Sequence, residues 1–399
     1  MAQRRDLISE GKHLIITAIL SWCGLAVVSS MYVTIPMVTA FVREFQVSPA
    51  QAAWSGSAFS LSYAISFLLF GSLSDRYGRK QVMFWGMVAL SVITPLIGLA
   101  SSFPWFIALR AIQGVAAATF APAALAYIVE MYPVVNRVTA IGFVSTGFLM
   151  AGIVGQVLSD VVNQSFGWSF LFYFLGAIYL LTAALLGGLI PKGGTQRQSV
   201  SLLDPFKQMG TLLFHKSLFF CYIIALTLLL AFVGMYTTLG NYLSQEPFLL
   251  HNDQIQLVRA AGIVGMLLSP FAGSLVARFG IMNVLRAGLL LAMLGLGILG
   301  FSSTLPILVL MSVLFVAGIS ITIPVLISLV GTLAGPYRGA AVSLYTLILF
   351  MGATLGPILS LQLMKTGSYL VTFEGLSILL GVALFCSVLI KNGSLVRNT

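Results

Sequence analysis

Residues 71–80 read GSLSDRYGRK, a run of three cations, one carboxylate and two glycines that directly follows an apolar segment. Charge is scarce elsewhere: Asp, Glu, Lys and Arg make up 8% of the 399 residues, against ~25% in an ordinary soluble domain, and hydrophobic residues make up 59%. A chain of this composition belongs in a bilayer, so the polar decapeptide reads as the connection between two membrane-crossing helices. The formal net charge of +10 is spread over short segments between apolar runs instead of forming one stripe. That pattern argues against nucleic acid as a partner and makes the basic residues topology signals.

A membrane-spanning helix needs about 20 mainly apolar residues. Segmenting the chain at charges and at Pro/Gly breaks gives twelve spans, near 14–38, 51–71, 82–101, 105–128, 138–159, 168–190, 218–243, 254–277, 283–302, 306–328, 339–361 and 370–390. The basic start MAQRRDLISEGK leads into an apolar run too long for a signal-peptide core and without a small-x-small cleavage site, so it reads as a retained first span. With the N-terminus inside, sixteen of the 20 Lys and Arg fall on internal segments, which places both termini in the cytoplasm. The outer loops keep Arg43 and Lys365, while Arg110 and Arg259 lie within spans. The expected organisation is a first six-helix bundle over 1–190, a polar cytoplasmic linker over 191–217 and a second bundle over 218–399. Cys23, Cys221 and Cys386 sit in apolar segments without metal or redox spacing and read as packing residues.

The two halves repeat. A shift of 202 puts GSLSDRYG (71–78) on GSLVARFG (273–280), and a shift of 201 puts AIGFVSTGFLMAGIVGQVLS (140–159) on AVSLYTLILFMGATLGPILS (341–360), with Arg137 on Arg338. Six spans per half leave both copies in one orientation, related by a pseudo-two-fold axis along the membrane normal. The fold class is therefore all-α integral membrane, two six-helix bundles.

GSLSDRYGRK resembles, at nearly every position, the loop 2-3 signature of the major facilitator superfamily, G-x-L-x-D-R-x-G-R-R/K. RAIQGVAAA (110–118) resembles the fourth-helix signature of its proton-coupled members, and RGAAVSLYTLILFMGATLGP (338–357) is similar to the eleventh helix of its twelve-span drug:proton antiporters. The resemblance covers essentially the whole chain.

In the decapeptide, Gly71 and Gly78 permit close approach and unusual dihedrals. Asp75 is placed either to face the positive N-terminal end of a neighbouring helix or to pair with a cation, with Arg338 and its helix end as natural partners. Arg79 is within reach of Glu130, and Arg76 and Lys80 complete the basic set. Together these residues read as a charge-assisted latch that holds the halves closed on the cytoplasmic side, the role the resemblance also implies. The second copy has Ala277 where the aspartate would stand.

By resemblance, Arg110 communicates with a proton-carrying site, with Gln113 and Gly114 completing the motif; its depth also permits an arginine snorkelling to the headgroups. Arg259, at similar depth, reads as snorkelling. The first span carries no carboxylate, and Asp160 is the candidate outward-facing protonation site, or else a plain helix-end residue. Gly147, Gly152 and Gly155 form a small-residue stripe suited to close helix approach, with Gln156 where the antiporter pattern has proline. A cavity lining is expected from Trp22, Ser29, Tyr32, Gln156, Tyr236, Asn241 and Tyr345.

No phosphate-binding loop or nucleophile elbow is present, and His13, His215 and His251 are too scattered for a metal. An enzyme, a cofactor and ATP-driven pumping are therefore not expected. The reading is a proton-coupled exporter of small amphipathic compounds, monomeric in a bacterial inner membrane, with protons, small-molecule substrate and lipids as its partners. A dedicated transporter of one metabolite, such as a sugar, is the alternative. With two intramembrane arginines and no central carboxylate, neutral, zwitterionic or anionic compounds are expected to fit better than permanent cations.

Overall fold

The computed structural model describes residues 10–191 and 210–390. Most of the expected linker, residues 192–209 with Lys192, Arg197 and Lys207, lies outside the described residues, as do Arg4, Arg5, Lys391 and Arg397. The helices that build the first half are α1 (Glu10–Tyr32), α2 (Val38–Phe45), α3 (Pro49–Ala52), α4 (Trp54–Tyr77), α5 (Arg79–Gly98), α6 (Phe103–Ala117), α7 (Ala121–Met131), α8 (Val134–Phe166) and α9 (Trp168–Leu189). The second half holds α10 (Lys216–Ser244), α11 (Asn252–Met266), α12 (Ala272–Phe279), α13 (Ile281–Gly300), α14 (Leu305–Leu333), α15 (Arg338–Met364) and α16 (Tyr369–Leu389).

Among the described residues, eleven helical stretches are long and apolar enough to cross a bilayer; α4, bent by 45° between Trp54–Phe67 and Leu69–Tyr77, supplies the twelfth. Helix is the natural form for an open chain in lipid, because it satisfies each backbone N–H and C=O within its own segment. The fourth span is α6 followed by α7, broken just before Pro122. The eighth is α11 and α12 around a 3-10 turn at Ser269–Phe271 that holds Pro270. Both breaks fall where proline removes a donor and crowds the preceding turn.

Two boundaries that matter for the site differ from the sequence expectation. The first span ends at Tyr32 instead of 38, because Pro36 biases the residue before it away from helix, and α2 and α3 then cross the opening to α4. The second span runs through Asp75 and Arg76 to Tyr77. The decapeptide is therefore mostly helix, and the connection between spans two and three is Gly78 alone, at φ 97° and ψ 135°. Gly280 makes the same one-residue hinge between α12 and α13 at φ 82°, 202 positions later. A side chain would be strained at either hinge.

The packing repeats with the sequence. In the first half α1 lies on α8, α5 on α9 and α4 on α6; in the second, α10 lies on α15, α13 on α16 and α11 on α14. Contacts between halves follow the same pseudo-symmetry: α4 and α7 meet α15, while α11, α12 and α14 meet α8. The fold is two six-helix bundles meeting along one seam. The side where α1 begins and α16 ends is called the terminal face below, and the other the distal face.

Candidate functional site

On the terminal face the seam is closed by backbones in near contact. A β-carbon at Gly71 of α4 would strike the Ser343 hydroxyl on α15, and one at Gly339 of α15 would strike the Asp75 carboxylate and the Arg79 guanidinium. Across the pseudo-axis, Gly273 of α12 lies on Thr139 of α8, and Gly142 of α8 lies on the Ser269 carbonyl. Gly331 of α14 meets Val129 of α7. Small residues at these crossings let helices approach to van der Waals distance.

The charges sit at one end of this closure. Arg79, 5% exposed, forms an ion pair with Asp75 one turn away and another with Glu130, at 2.7 Å from Nη2. Its Nε also donates to Glu130 at 3.3 Å, and its Nη1 to the Ser74 hydroxyl at 2.5 Å and the Gly71 carbonyl at 3.2 Å. All of these groups belong to the first half. What crosses the seam is the packing of Asp75 and Arg79 on Gly339, in the first turn of α15. A carboxylate there faces the positive end of the helix dipole.

Arg338 is a correction to the expected set: its side chain is exposed and its Nε donates to the Gly335 carbonyl at 2.9 Å, so the α15 end, not its arginine, receives Asp75. Arg76 is exposed and lies 5.5 Å over the Tyr77 ring, outside the cluster. Lys80 points the other way, donating to the Gly187 carbonyl of α9 at 2.7 Å.

Arg110 is fully buried and does not snorkel. Its Nε donates to the Ser55 carbonyl at 2.9 Å, Nη2 to the Ser30 carbonyl at 3.0 Å and Nη1 to Gln113 Oε1 at 2.5 Å, and its guanidinium lies 4.6 Å from the Phe59 ring centroid. Gln113 in turn donates to Thr94 at 2.9 Å. Gly114, one residue on, lies against the Phe59 carbonyl and Ser62. This motif ties α1, α4, α5 and α6 together, and Arg110→Ala should lower the melting temperature in detergent more than it alters the cavity. The unpaired acceptors left behind should cost about 2–4 kcal/mol. An unchanged melting temperature would count against this structural role.

A cavity of about 340 Å³ opens between the halves above the closure. Its floor is apolar and aromatic, with Phe148, Leu349 and Phe350, and its upper wall is polar, with Tyr32, Gln156, Tyr236, Asn241, Gln256 and Arg259. These polar residues sit toward the distal ends of α1, α8, α10 and α11. Phe350 seals the floor edge-on to Tyr63 of the other half, at a centroid distance of 5.4 Å. Thr146 of α8 reaches across the seam to the Met266 carbonyl at 3.2 Å.

Four of the expected lining residues, Tyr32, Gln156, Tyr236 and Asn241, border this space, and three do not. Trp22 donates to Thr182 on α9 at 3.1 Å and presents its ring to the outside. Ser29 bonds the Leu25 and Ala151 carbonyls in the α1–α8 contact, at 2.7 and 3.4 Å. Tyr345 is fully buried in the second half. Asp160 is half-buried near the distal end of α8 and forms no part of the lining.

Arg259 departs from its expected place in the opposite sense, since it borders the cavity instead of reaching for headgroups. A signal was available: Gln256 precedes it by three positions, so two polar groups share one face of an otherwise apolar helix.

Comparison with known proteins agrees with this geometry. The chain matches the family model of the Major Facilitator Superfamily over residues 20–252 and 248–394. It is 27% identical over 327 residues to the uncharacterized MFS-type transporter YybF of Bacillus subtilis, covering 81% of this chain and 80% of that one. It is 24% identical over 313 residues to the multidrug resistance protein MdtG of Serratia proteamaculans, covering 76% and 75%. Among solved structures, the human organic anion transporter MFSD10 superposes with a TM-score of 0.78 at 16% identity, over 94% of this chain and 99% of that one, a likeness of fold alone. The repeated halves, the Gly-lined closure and the matched family model lead to one conclusion: the chain belongs to the major facilitator superfamily and is a membrane transporter, not an enzyme.

Proposed function

We propose that the chain exports small amphipathic organic compounds in exchange for protons, by rocking its two bundles about the cavity between them. The observation that carries this reading is the cavity itself: it lies on the seam between halves, closed toward one face by glycine-lined contacts and walled toward the other by polar side chains. In the proposed orientation the terminal face is cytoplasmic, with both chain ends, in a bacterial inner membrane. The proposed units are a bundle over 1–190, a linker over 191–217 and a bundle over 218–399, working as a monomer. The mixed lining suits compounds with an apolar body and one polar end, and the name of the MdtG relative supports an efflux role.

In this mechanism the closure around Gly71, Asp75, Arg79 and Gly339 separates when the cavity turns to the cytoplasm. Asp75, about two-thirds covered in the closed face, then meets water fully, which supports proton exchange at that face. The test is reconstitution with an internal pH dye, an imposed proton gradient and additions of cationic, neutral and anionic amphiphiles in turn. Proton flux triggered by several unrelated compounds is the expected result. Transport of one compound class without proton flux would replace exchange with a dedicated, uncoupled carrier.

A further inference from the structure

Among the described residues that border the cavity, Arg259 alone carries a charge. Its guanidinium lies on the Gly240 backbone of α10, where a β-carbon would collide with Nη2, and Nη2 donates to the Tyr236 carbonyl at 3.3 Å. Its Nε is buried with no hydrogen-bond partner. Among the described residues no carboxylate pairs with it; the ion pairs there all involve Arg79, at the other end of the molecule. Arg110 is the instructive contrast, since its Nε, Nη1 and Nη2 all donate to acceptors of its own half. Neither intramembrane arginine has a carboxylate partner among the described residues, but Arg110 has all three nitrogens employed inside the protein, whereas Arg259 keeps donor capacity at the cavity wall.

A guanidinium in a partly desolvated cavity without a counter-ion is unfavourable, and a ligand anion supplies the missing charge. Carboxylate and sulfonate match its planar fork and form charge-assisted hydrogen bonds. Gln256 and Asn241 stand beside it as further polar groups, while Phe148, Phe232 and Phe350 offer an aromatic bed for the remainder of the ligand. A volume of about 340 Å³ falls in the ~300–1,000 Å³ range of small-molecule sites. A permanent cation would bring like charge to Arg259 with no acid among the described lining residues to offset it, and such a clash rejects the wrong ligand.

We infer that the cavity selects amphipathic organic anions, a carboxylate or sulfonate on an aromatic or alkyl body, and that Arg259 holds the acid group. This rests on the transport reading above and narrows its substrate class.

The test uses the full chain in lipid nanodiscs and three ligands with one naphthalene body: 2-naphthalenesulfonate, 2-naphthol and a naphthylmethyl-trimethylammonium ion, each measured by equilibrium dialysis. The sulfonate is expected to bind at least ~10-fold more tightly than the other two, the gain of one charged hydrogen-bonded contact. Arg259→Gln should remove that advantage and leave naphthol binding little changed, and Arg259→Lys should restore part of it. Because the head-group comparison is made on the unaltered protein, it stands even if a variant misfolds. The inference is overturned if naphthol or the ammonium ion binds as well as the sulfonate, or if Arg259→Gln, with an unchanged melting temperature, keeps full sulfonate affinity. If none of the three binds the folded protein, the amphiphile-cavity reading fails and takes the inference with it.

Discussion

Arg79→Ala is expected to abolish transport while leaving the amount of protein in the membrane unchanged. Arg79 is almost fully buried and is the shared cation for Asp75 and Glu130, and without it two carboxylates face each other, with Asp75 against the first turn of α15. Breaking a fully buried pair costs about 3–5 kcal/mol; with a third of each carboxylate surface exposed, we expect about 2–4 kcal/mol. Much of that penalty falls on the closed state, because Asp75 is covered by Gly339 only there. Opening the terminal face lifts Gly339 off Asp75 and lets water solvate that acid fully, so the closed population should fall by ~30-fold. Asp75→Asn removes the carboxylate from the helix end and should act in the same direction, more weakly. Initial transport rates in vesicles, normalised to protein, measure both variants; normal turnover in both would remove the closure from the mechanism.

Gly71→Val and Gly339→Val should have effects of similar size by a different route. Each would drive side-chain carbon into an occupied position, Ser343 in one case and Asp75 with Arg79 in the other. Relief requires α4 and α15 to separate, so the terminal face should stay open and transport should stop. A cysteine at Val129, fully buried against Gly331, should then react with a water-soluble thiol reagent much faster than in the parent. Unchanged reactivity with unchanged transport would mean that the seam tolerates a wider spacing than these contacts imply. Gly71→Ala should fall between parent and valine.

The spans were legible because each is a long apolar run ended by charge or proline, and the repeat because GSLSDRYG and GSLVARFG preserve one hinge glycine each. Arg79 reaching Glu130 was also legible from spacing. Helix rotation was not. In lipid, a face turned to acyl chains is as apolar as a face turned to the core, so hydropathy does not say which side of α1 carries Trp22 or which side of α15 carries Tyr345. Exposed Trp85, Leu180 and Phe385 lie on the same kind of apolar helix as buried Met83, Tyr179 and Cys386. Arg259 was misread for a related reason. Its neighbours Tyr236 and Gln156 come from other helices, one of them in the other half, and only packing brings them together.

The central claim is that the two faces of one seam open in turn. Two spin-label pairs test it in vesicles, Tyr77→Cys with Tyr337→Cys on the terminal face and Ile35→Cys with Ser244→Cys on the distal face. The native Cys23, Cys221 and Cys386 are buried, so labelling reports the introduced sites. During transport of an amphiphile, a second population should appear in which the terminal distance lengthens while the distal distance shortens. Distances that stay fixed, or that change in the same sense at both faces, would contradict alternating access in this protein.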